Sequence, residues 1–228
     1  MTTTPRPRPD TPTLVEDLLL LLFQPASGTI AGENTLFYVL GGAVLADLAL
    51  GDHLTVTARD RVSSVADHPP PDRLLRPAWD YLAEKPRGVQ TALAAIGPAL
   101  RDPALRRLIT RGDIDQDSRK VLGLFRSTAL REGRTERRAR LLAEVRQVLV
   151  DGVRPTARVA ALTVLVSASG TLPQFDREIP WTSPVITRAK ELESGNWGAD
   201  AASAAVTRTV TATVVNTAVV AITVLPRS

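Results

Sequence analysis

Residues 13–23 read TLVEDLLLLLF, a start that contains polar residues followed by a continuous apolar run. Its first four residues match the capping-box pattern, in which the Thr13 hydroxyl accepts from the amide of Glu16 and the Glu16 carboxylate accepts from the amide of Thr13. The pattern predicts a helix over residues 14–23. Because this helix is apolar on nearly every side from Leu18 onward, we expect it to lie at the centre of a helical core.

A second helix is predicted over residues 35–50, where apolar side chains recur at helical spacing. Asn34 is the predicted N-cap and Gly51 the predicted left-handed stop. Gly41 and Gly42 lie inside this pattern with no preceding strand and no following Lys-Ser/Thr, so they do not form a phosphate loop. They indicate close packing between helices instead.

Proline, glycine and changes of period divide the rest of the chain. Further predicted helices span residues 72–84 (broken before Pro77), 88–96, 103–111, 135–150 (capped by Thr135), 155–167 (opened by Pro155) and 185–193. A β-ribbon is predicted over 53–65 and a β-hairpin over 112–130. The segment 200–225 is rich in Val and Thr but long and free of turn signals, and we predict a buried helix there.

Length and composition indicate one domain over residues 13–228, preceded by a short tail. Residues 1–12 alternate Thr, Pro, Arg and Asp with no apolar period, so we expect this tail to be disordered. The chain has no cysteine and no signal-peptide pattern, which predicts a cytoplasmic protein. The uncharged stretch of residues 209–225 is shorter than the roughly 20 residues of a membrane-spanning helix.

The positive charge of the chain is concentrated in one segment. Residues 99–158 hold 15 basic and 8 acidic side chains, an excess of +7, whereas the rest of the chain has 13 basic and 16 acidic ones. Such an asymmetry predicts a polyanionic partner, either a membrane surface or a nucleic acid. The alternative is a solvated basic face in a protein that uses Arg in place of Lys.

Motifs for catalysis or metal binding are missing from the sequence. No G-x-S-x-G elbow occurs, and His53 and His68 are interpreted as surface residues without a catalytic or metal role. Asp113, Asp115 and Asp117 imitate the start of a calcium loop, but the sixth and twelfth positions lack the required Gly and Glu. We therefore predict no enzyme activity, no metal and no cofactor.

Several stretches, taken together and in order, resemble the Golgi phosphoprotein 3 family, including its bacterial relatives of actinobacterial type. They are residues 14–21 (LVEDLLLL), 42–50 (GAVLADLAL), 82–87 (LAEKPR), 111–114 (RGDI), 121–125 (VLGLF), 158–162 (RVAAL) and 188–192 (RAKEL) with Trp197. The resemblance implies a mainly α, compact, single-domain, bundle-like fold with a small β-ribbon and a protruding β-hairpin.

The resemblance also implies a membrane partner. Eukaryotic relatives bind phosphatidylinositol 4-phosphate in a basic pocket and act as adaptors for other proteins. The pocket positions fall at Gly32, Gly41, Pro98 and Arg101 here, so only Arg101 is a cation. This departure favours binding of anionic phospholipid through summed charge over recognition of one phosphomonoester.

The resulting prediction is a non-enzymatic protein peripherally associated with the inner face of a membrane, with a protein cargo and self-association through the hairpin as further expected contacts. The predicted lipid-binding cations are Arg101, Arg106, Arg107, Arg111, Arg119, Lys120, Arg126, Arg131 and Arg134. The predicted membrane-hairpin residues are Val121, Leu122, Leu124 and Phe125. The alternative is that they face the protein's own core, as apolar residues at alternating spacing more often do.

Two alternatives stay open. The first is a nucleic-acid-binding protein, because a basic helix followed by a hairpin is typical of a winged-helix edge. Aromatic residues make up only 4% of the chain and none lies between Arg106 and Lys120, so base stacking lacks support and we consider nucleic acid an unlikely partner. The second is a soluble protein-interaction scaffold.

Overall fold

The central element of the fold is helix α1 (Leu14–Leu22). The protein is seen here in a computed structural model that describes residues 11–56, 61–121, 125–195 and 211, with the backbone alone for 118–121 and 125–128. Every residue of α1 is buried, and the capping box between Thr13 and Glu16 is present with both reciprocal hydrogen bonds. The predicted central position of this helix is therefore confirmed. Its last predicted residue, Phe23, belongs to a short strand instead.

Seven further α-helices occur in the described part of the chain. They are α2 (Leu36–Leu50), α3 (Arg76–Ala83), α4 (Val89–Ile96), α5 (Arg101–Arg111), α6 (Arg137–Leu149), α7 (Ala157–Ala168) and α8 (Ser183–Glu193). Helices α2, α5, α6 and α7 all pack against α1, so one apolar core surrounds it. The architecture is mainly α with small antiparallel sheets, as predicted.

The strands form three antiparallel sheets within the described residues. They are β1 (Phe23–Gln24), β2 (Thr29–Ile30), β3 (Leu54–Val56), β4 (Arg61–Ser64), β5 (Arg87–Gly88), β6 (Ile114–Val121) and β7 (Phe125–Glu132). Strand β1 pairs with β2, β3–β4–β5 form the predicted ribbon with one added strand, and β6 pairs only with β7. The pair β6–β7 is the predicted hairpin.

Helix α2 approaches its neighbours through glycines. A Cβ on Gly41 would lie 3.2 Å from a side-chain atom of Leu93 in α4, which confirms the predicted close helix packing. A Cβ on Gly97 would lie only 2.0 Å from the carbonyl oxygen of Phe37. Only a residue without a side chain fits between the backbones there.

Several predicted helix ends differ from the observed ones. The N-cap of α2 is Thr35, not Asn34, and Gly51 takes φ −93° while the following Asp52 takes φ +56°. Helix α3 begins only at Arg76, since the Asp72 carboxylate accepts from the amide of Leu74 (2.6 Å) and forms a turn first.

The observed first residues of α5, α6 and α7 also differ from the predicted ones. Helix α5 begins two residues before Pro103, which the first turn tolerates because its amide would be unpaired there. The N-cap of α6 is Glu136, at φ +54°, and not Thr135. The N-cap of α7 is Thr156, whose hydroxyl accepts from the amide of Val159 (3.3 Å), so Pro155 lies before the helix.

Two predictions concern residues outside the described part. Of the buried helix predicted over residues 200–225, only Thr211 belongs to the described part. Of the predicted disordered tail, only residues 11 and 12 do. Within the described residues, no helix has the length and apolarity required to span a bilayer.

Candidate functional site

The arginines at the end of α5 point inward to a buried carboxylate. Glu16 of α1 is 0% exposed, and its Oε1 accepts from Nε of Arg111 (2.9 Å). Its Oε2 accepts from the amide of Thr13 (2.9 Å) and lies 3.4 Å from Nη1 of Arg107. The same guanidinium nitrogen of Arg107 donates to Asp72 (2.8 Å). Arg107 and Arg111, two of the predicted lipid-binding residues, thus neutralise charges inside the protein.

Two more arginines of residues 99–158 neutralise the buried carboxylate of Asp17 in α1. Arg137 donates to Asp17 (2.5 Å) and to Asp113 (2.6 Å), and its side chain is only 11% exposed. Arg158 donates to the other oxygen of Asp17 (2.5 Å) and to Asp47 (3.1 Å). We call these four arginines, with Glu16, Asp17, Asp47, Asp72 and Asp113, the ion-pair network.

The ion-pair network accounts for much of the charge asymmetry seen in the sequence. Four of its carboxylates, Glu16, Asp17, Asp47 and Asp72, come from outside residues 99–158 and pair with arginines from inside that segment. When the charges of these four carboxylates are added to those of residues 99–158, the net charge falls from +7 to +3. Removing one member of such a buried pair would leave the other charge without compensation and destabilise the fold. The main role of the ion-pair network is therefore structural.

The fold changes the protonation of Asp47 in the ion-pair network. Burial raises the pKa of Asp47 from 3.8 to about 7, although the Arg158 guanidinium and the amide of Leu14, which donates across 2.6 Å, lower it. Burial alone would lower the pKa of Arg158, but the carboxylates of Asp47 and Asp17 raise it. Arg158 therefore stays charged while Asp47 titrates near neutral pH.

The predicted cations that face solvent lie around the C-terminal half of α5 and the base of the hairpin. Arg106 and Arg134 are exposed, and among the described residues neither side chain has an ion-pair or hydrogen-bond partner. The amide of Arg134 donates to the carbonyl of Gly112 (3.1 Å), which places Arg134 at the end of α5. Arg131 is also exposed and lies 3.2 Å from Asp117. We call Arg106, Arg131 and Arg134 the α5–hairpin edge.

The hairpin extends from this edge as a separate ladder. Its register pairs Ile114 with Glu132 at the base and Val121 with Phe125 near the tip. Lys120 pairs with Arg126, and Arg119 with Ser127. Residues 118–121 and 125–128 are described by their backbone alone, and the predicted membrane-hairpin residues Leu122 and Leu124 lie outside the described part.

The positions that the family resemblance assigned to a phosphoinositide pocket do not converge on a basic site. Gly41 is buried inside α2 against Leu93. Arg101 lies at the start of α5, where its guanidinium is 3.6 Å from Glu33 and 3.5 Å from Asp102. Its side chain is 41% exposed, so these pairs are weak.

The two histidines lie together although fifteen positions separate them in the sequence. Their rings stack with centroids 4.5 Å apart, and Nδ1 of His53 is 2.9 Å from the carbonyl of His68. Asp113, the first residue of the calcium-like run, is buried and bonded to Arg137 and Thr135. Within the described residues, no group of three or more potential ligands could hold a metal ion.

An apolar cavity that the sequence did not predict opens between α3, α4 and the start of α5. Its volume is about 370 Å³, and its walls include Pro77, Tyr81, Ile96 and Leu100. Among the described residues, Arg73 is the only charged one that lines it. No periodic pattern marks these positions, because they come from three helices and the turns between them.

Comparison with known proteins places the whole described fold in one family. The family model described as Golgi phosphoprotein 3 (GPP34) matches residues 14–209. This range includes every helix and strand of the structure from α1 to α8. No curated protein matches the chain.

Proposed function

We propose that this chain, which belongs to the Golgi phosphoprotein 3 family, binds anionic phospholipid at the inner face of a membrane and catalyses no reaction. The observation that supports the proposal is the α5–hairpin edge. There, Arg106 and Arg134 are exposed and have no ion-pair partner among the described residues, whereas Arg131 lies 3.2 Å from Asp117. The hairpin that follows α5 is joined to no other strand among the described residues. An adaptor role for a protein cargo would follow from such membrane attachment.

Summed charge is the proposed mode of recognition. Each cation near an anionic surface contributes about 1 kcal/mol, without a fixed geometry. Arg106 and Arg134 can contribute in this way because no described carboxylate competes for them. Selective binding of a phosphomonoester would need several converging donors, and Arg101 is the one cation at the family's pocket positions.

Nucleic acid is the competing polyanion, because α5 followed by β6–β7 has the order of a winged-helix edge. Phosphate contacts alone give salt-dependent binding without base reading. The sequence places no aromatic side chain between Arg106 and Lys120 for stacking on bases. We therefore favour the bilayer.

Co-sedimentation with liposomes tests the proposal. Vesicles of phosphatidylcholine with phosphatidylglycerol, cardiolipin or a phosphatidylinositol phosphate, matched in total charge, are compared with phosphatidylcholine alone and with duplex DNA. We expect recovery with all three anionic vesicles at similar levels and little recovery with the neutral ones. Equal recovery on neutral vesicles, or tighter binding to the DNA than to any vesicle, would contradict the proposed function.

A further inference from the structure

We propose that the cavity between α3, α4 and α5 takes one acyl chain of an anionic phospholipid while Arg73 and Arg106 meet its phosphate. This inference rests on the proposed function and assigns a specific site to it. It follows from the size of the cavity, the chemistry of its walls and the charges beside its opening.

The walls suit a hydrocarbon chain. The cavity floor is formed by Ala78, Ile96 and Leu100, which are between 2% and 8% exposed, and the ring of Tyr81 forms part of a side wall. Apolar walls of this kind do not hold ordered water well, because a buried water needs two to four polar partners. An apolar occupant therefore gains by leaving bulk water.

The size indicates one chain. An engineered cavity of about 150 Å³ holds one benzene molecule, so a cavity more than twice as large has room for about a dozen carbon atoms. The volume of about 370 Å³ also lies at the lower end of the range for small-molecule sites. A helix with its side chains is roughly 10 Å across and would not enter.

The charges beside the opening suit an anionic headgroup. Arg73 lines the cavity and is exposed, and among the described residues its side chain has no ion-pair or hydrogen-bond partner. Arg106 lies one turn along α5 from the cavity-lining Pro103, and residues three apart are neighbours on a helix surface. By contrast, the nearby carboxylates Asp72 and Asp80 already pair with Arg107 and Arg76. Unpartnered cations next to an apolar cavity are the chemistry that recognises an anionic amphiphile.

Monoacyl lipids test the acyl-chain site directly. Octanoyl and decanoyl lysophosphatidylglycerol are titrated into the full chain by calorimetry, below the concentrations at which they form micelles. We expect the decanoyl lipid to bind about tenfold more tightly, since each buried methylene contributes about threefold to fourfold. A neutral decanoyl monoacylglycerol should bind more weakly than the charged lipid, and equal affinity for the two would contradict the role of the cations.

Two substitutions on the same helix provide the matched comparison. Ala95 is exposed and lines the cavity, whereas the adjacent Ala94 is exposed and does not line it. Ala95→Phe should fill the opening and abolish the dependence of affinity on chain length, and Ala94→Phe should leave it unchanged. Arg73→Gln should weaken binding of both charged lipids by the same factor. Thermal unfolding of each variant verifies that it is folded.

The outcomes separate this inference from the proposed function. If the wild-type chain does not sediment with anionic liposomes, the proposed function itself is wrong. If it sediments but the monoacyl lipids bind without dependence on chain length, or Ala95→Phe has no effect, only the cavity assignment is wrong. If Ala95→Phe instead changes the sedimentation coefficient of the lipid-free protein, the cavity is an interface between two copies and the inference is overturned.

Discussion

Arg111 donates from Nε to Oε1 of Glu16 across 2.9 Å, although 95 positions separate the two residues and the Glu16 side chain is fully buried. The same carboxylate completes the capping box of α1 through its other oxygen. One side chain thus starts the central helix and attaches α5 to it. Arg111 was predicted to bind lipid, and its position assigns it to the internal ion-pair network.

Replacing Glu16 by Gln should destabilise the protein by about 3 kcal/mol, because it leaves the charges of Arg107 and Arg111 short of a buried partner. The amide oxygen can still accept from Thr13, so the loss reports mainly the ion pairs. The measurement is the free energy of unfolding in urea at neutral pH.

Glu33→Gln serves as the control for that substitution. Glu33 lies 3.6 Å from Arg101, but its side chain is 60% exposed, so the change should stay within about 0.5 kcal/mol. Equal effects of the two substitutions would show that the Glu16 network does not stabilise the fold.

Titration of Asp47 should make stability fall as the pH rises from about 4 to about 7. Its folded-state pKa of about 7 lies above its unfolded value of about 3.9, so in this range the folded state holds a proton that the unfolded state has released. The contribution is fully present below the unfolded pKa and is lost as the pH rises through the folded one. Its size is on the order of 2–4 kcal/mol.

Urea unfolding of the wild type and of Asp47→Asn at pH 5, 6, 7 and 8 measures this effect. The amide retains an acceptor for the Leu14 amide but does not titrate. As the pH rises, the wild type should lose stability relative to the variant, because only the wild type loses the proton of Asp47. A constant difference across the four pH values would mean that Asp47 does not take up a proton in this range.

Gly97→Ala should destabilise the protein by about 2 kcal/mol or more. Its new Cβ would meet the carbonyl oxygen of Phe37 at 2.0 Å, and backbone atoms on both sides cannot yield without moving α2. Gly88→Ala is the matched control, because among the described residues beyond its two chain neighbours its Cβ would meet only the Thr91 hydroxyl, at 3.9 Å. Thermal unfolding of the two variants should separate them, and a similar loss in both would contradict the close approach of the backbones.

Elements that are specified by residues close together in the sequence could be predicted from the sequence. The capping box of Thr13 and Glu16, the helical period of α2 and the hairpin after Gly112 all depend on neighbouring residues, and all are present. Strands β1, β2 and β5 have two residues each, which is too short for an alternating pattern to reveal them.

The candidate site could be predicted only in part, because charge counting treats every arginine alike. Arg106 and Arg107 are adjacent in sequence, yet one faces solvent and the other pairs with Glu16 and Asp72. The difference depends on which side of α5 meets α1, and this is set by tertiary packing. Thr135 was misassigned for a similar reason, since its hydroxyl donates to Asp113 across the base of the hairpin.

Two double substitutions that remove the same charge test whether the α5–hairpin edge meets the membrane. Arg106→Gln with Arg134→Gln removes cations of the α5–hairpin edge, and Arg177→Gln with Lys190→Gln removes exposed cations near and on α8. In liposome co-sedimentation with phosphatidylglycerol vesicles, the first pair should lower the partition coefficient about tenfold to thirtyfold, at about 1 kcal/mol per cation, while the second leaves it near the wild-type value. Wild-type binding by the first pair, or an equal loss in the second, would contradict the claim that this edge meets the membrane.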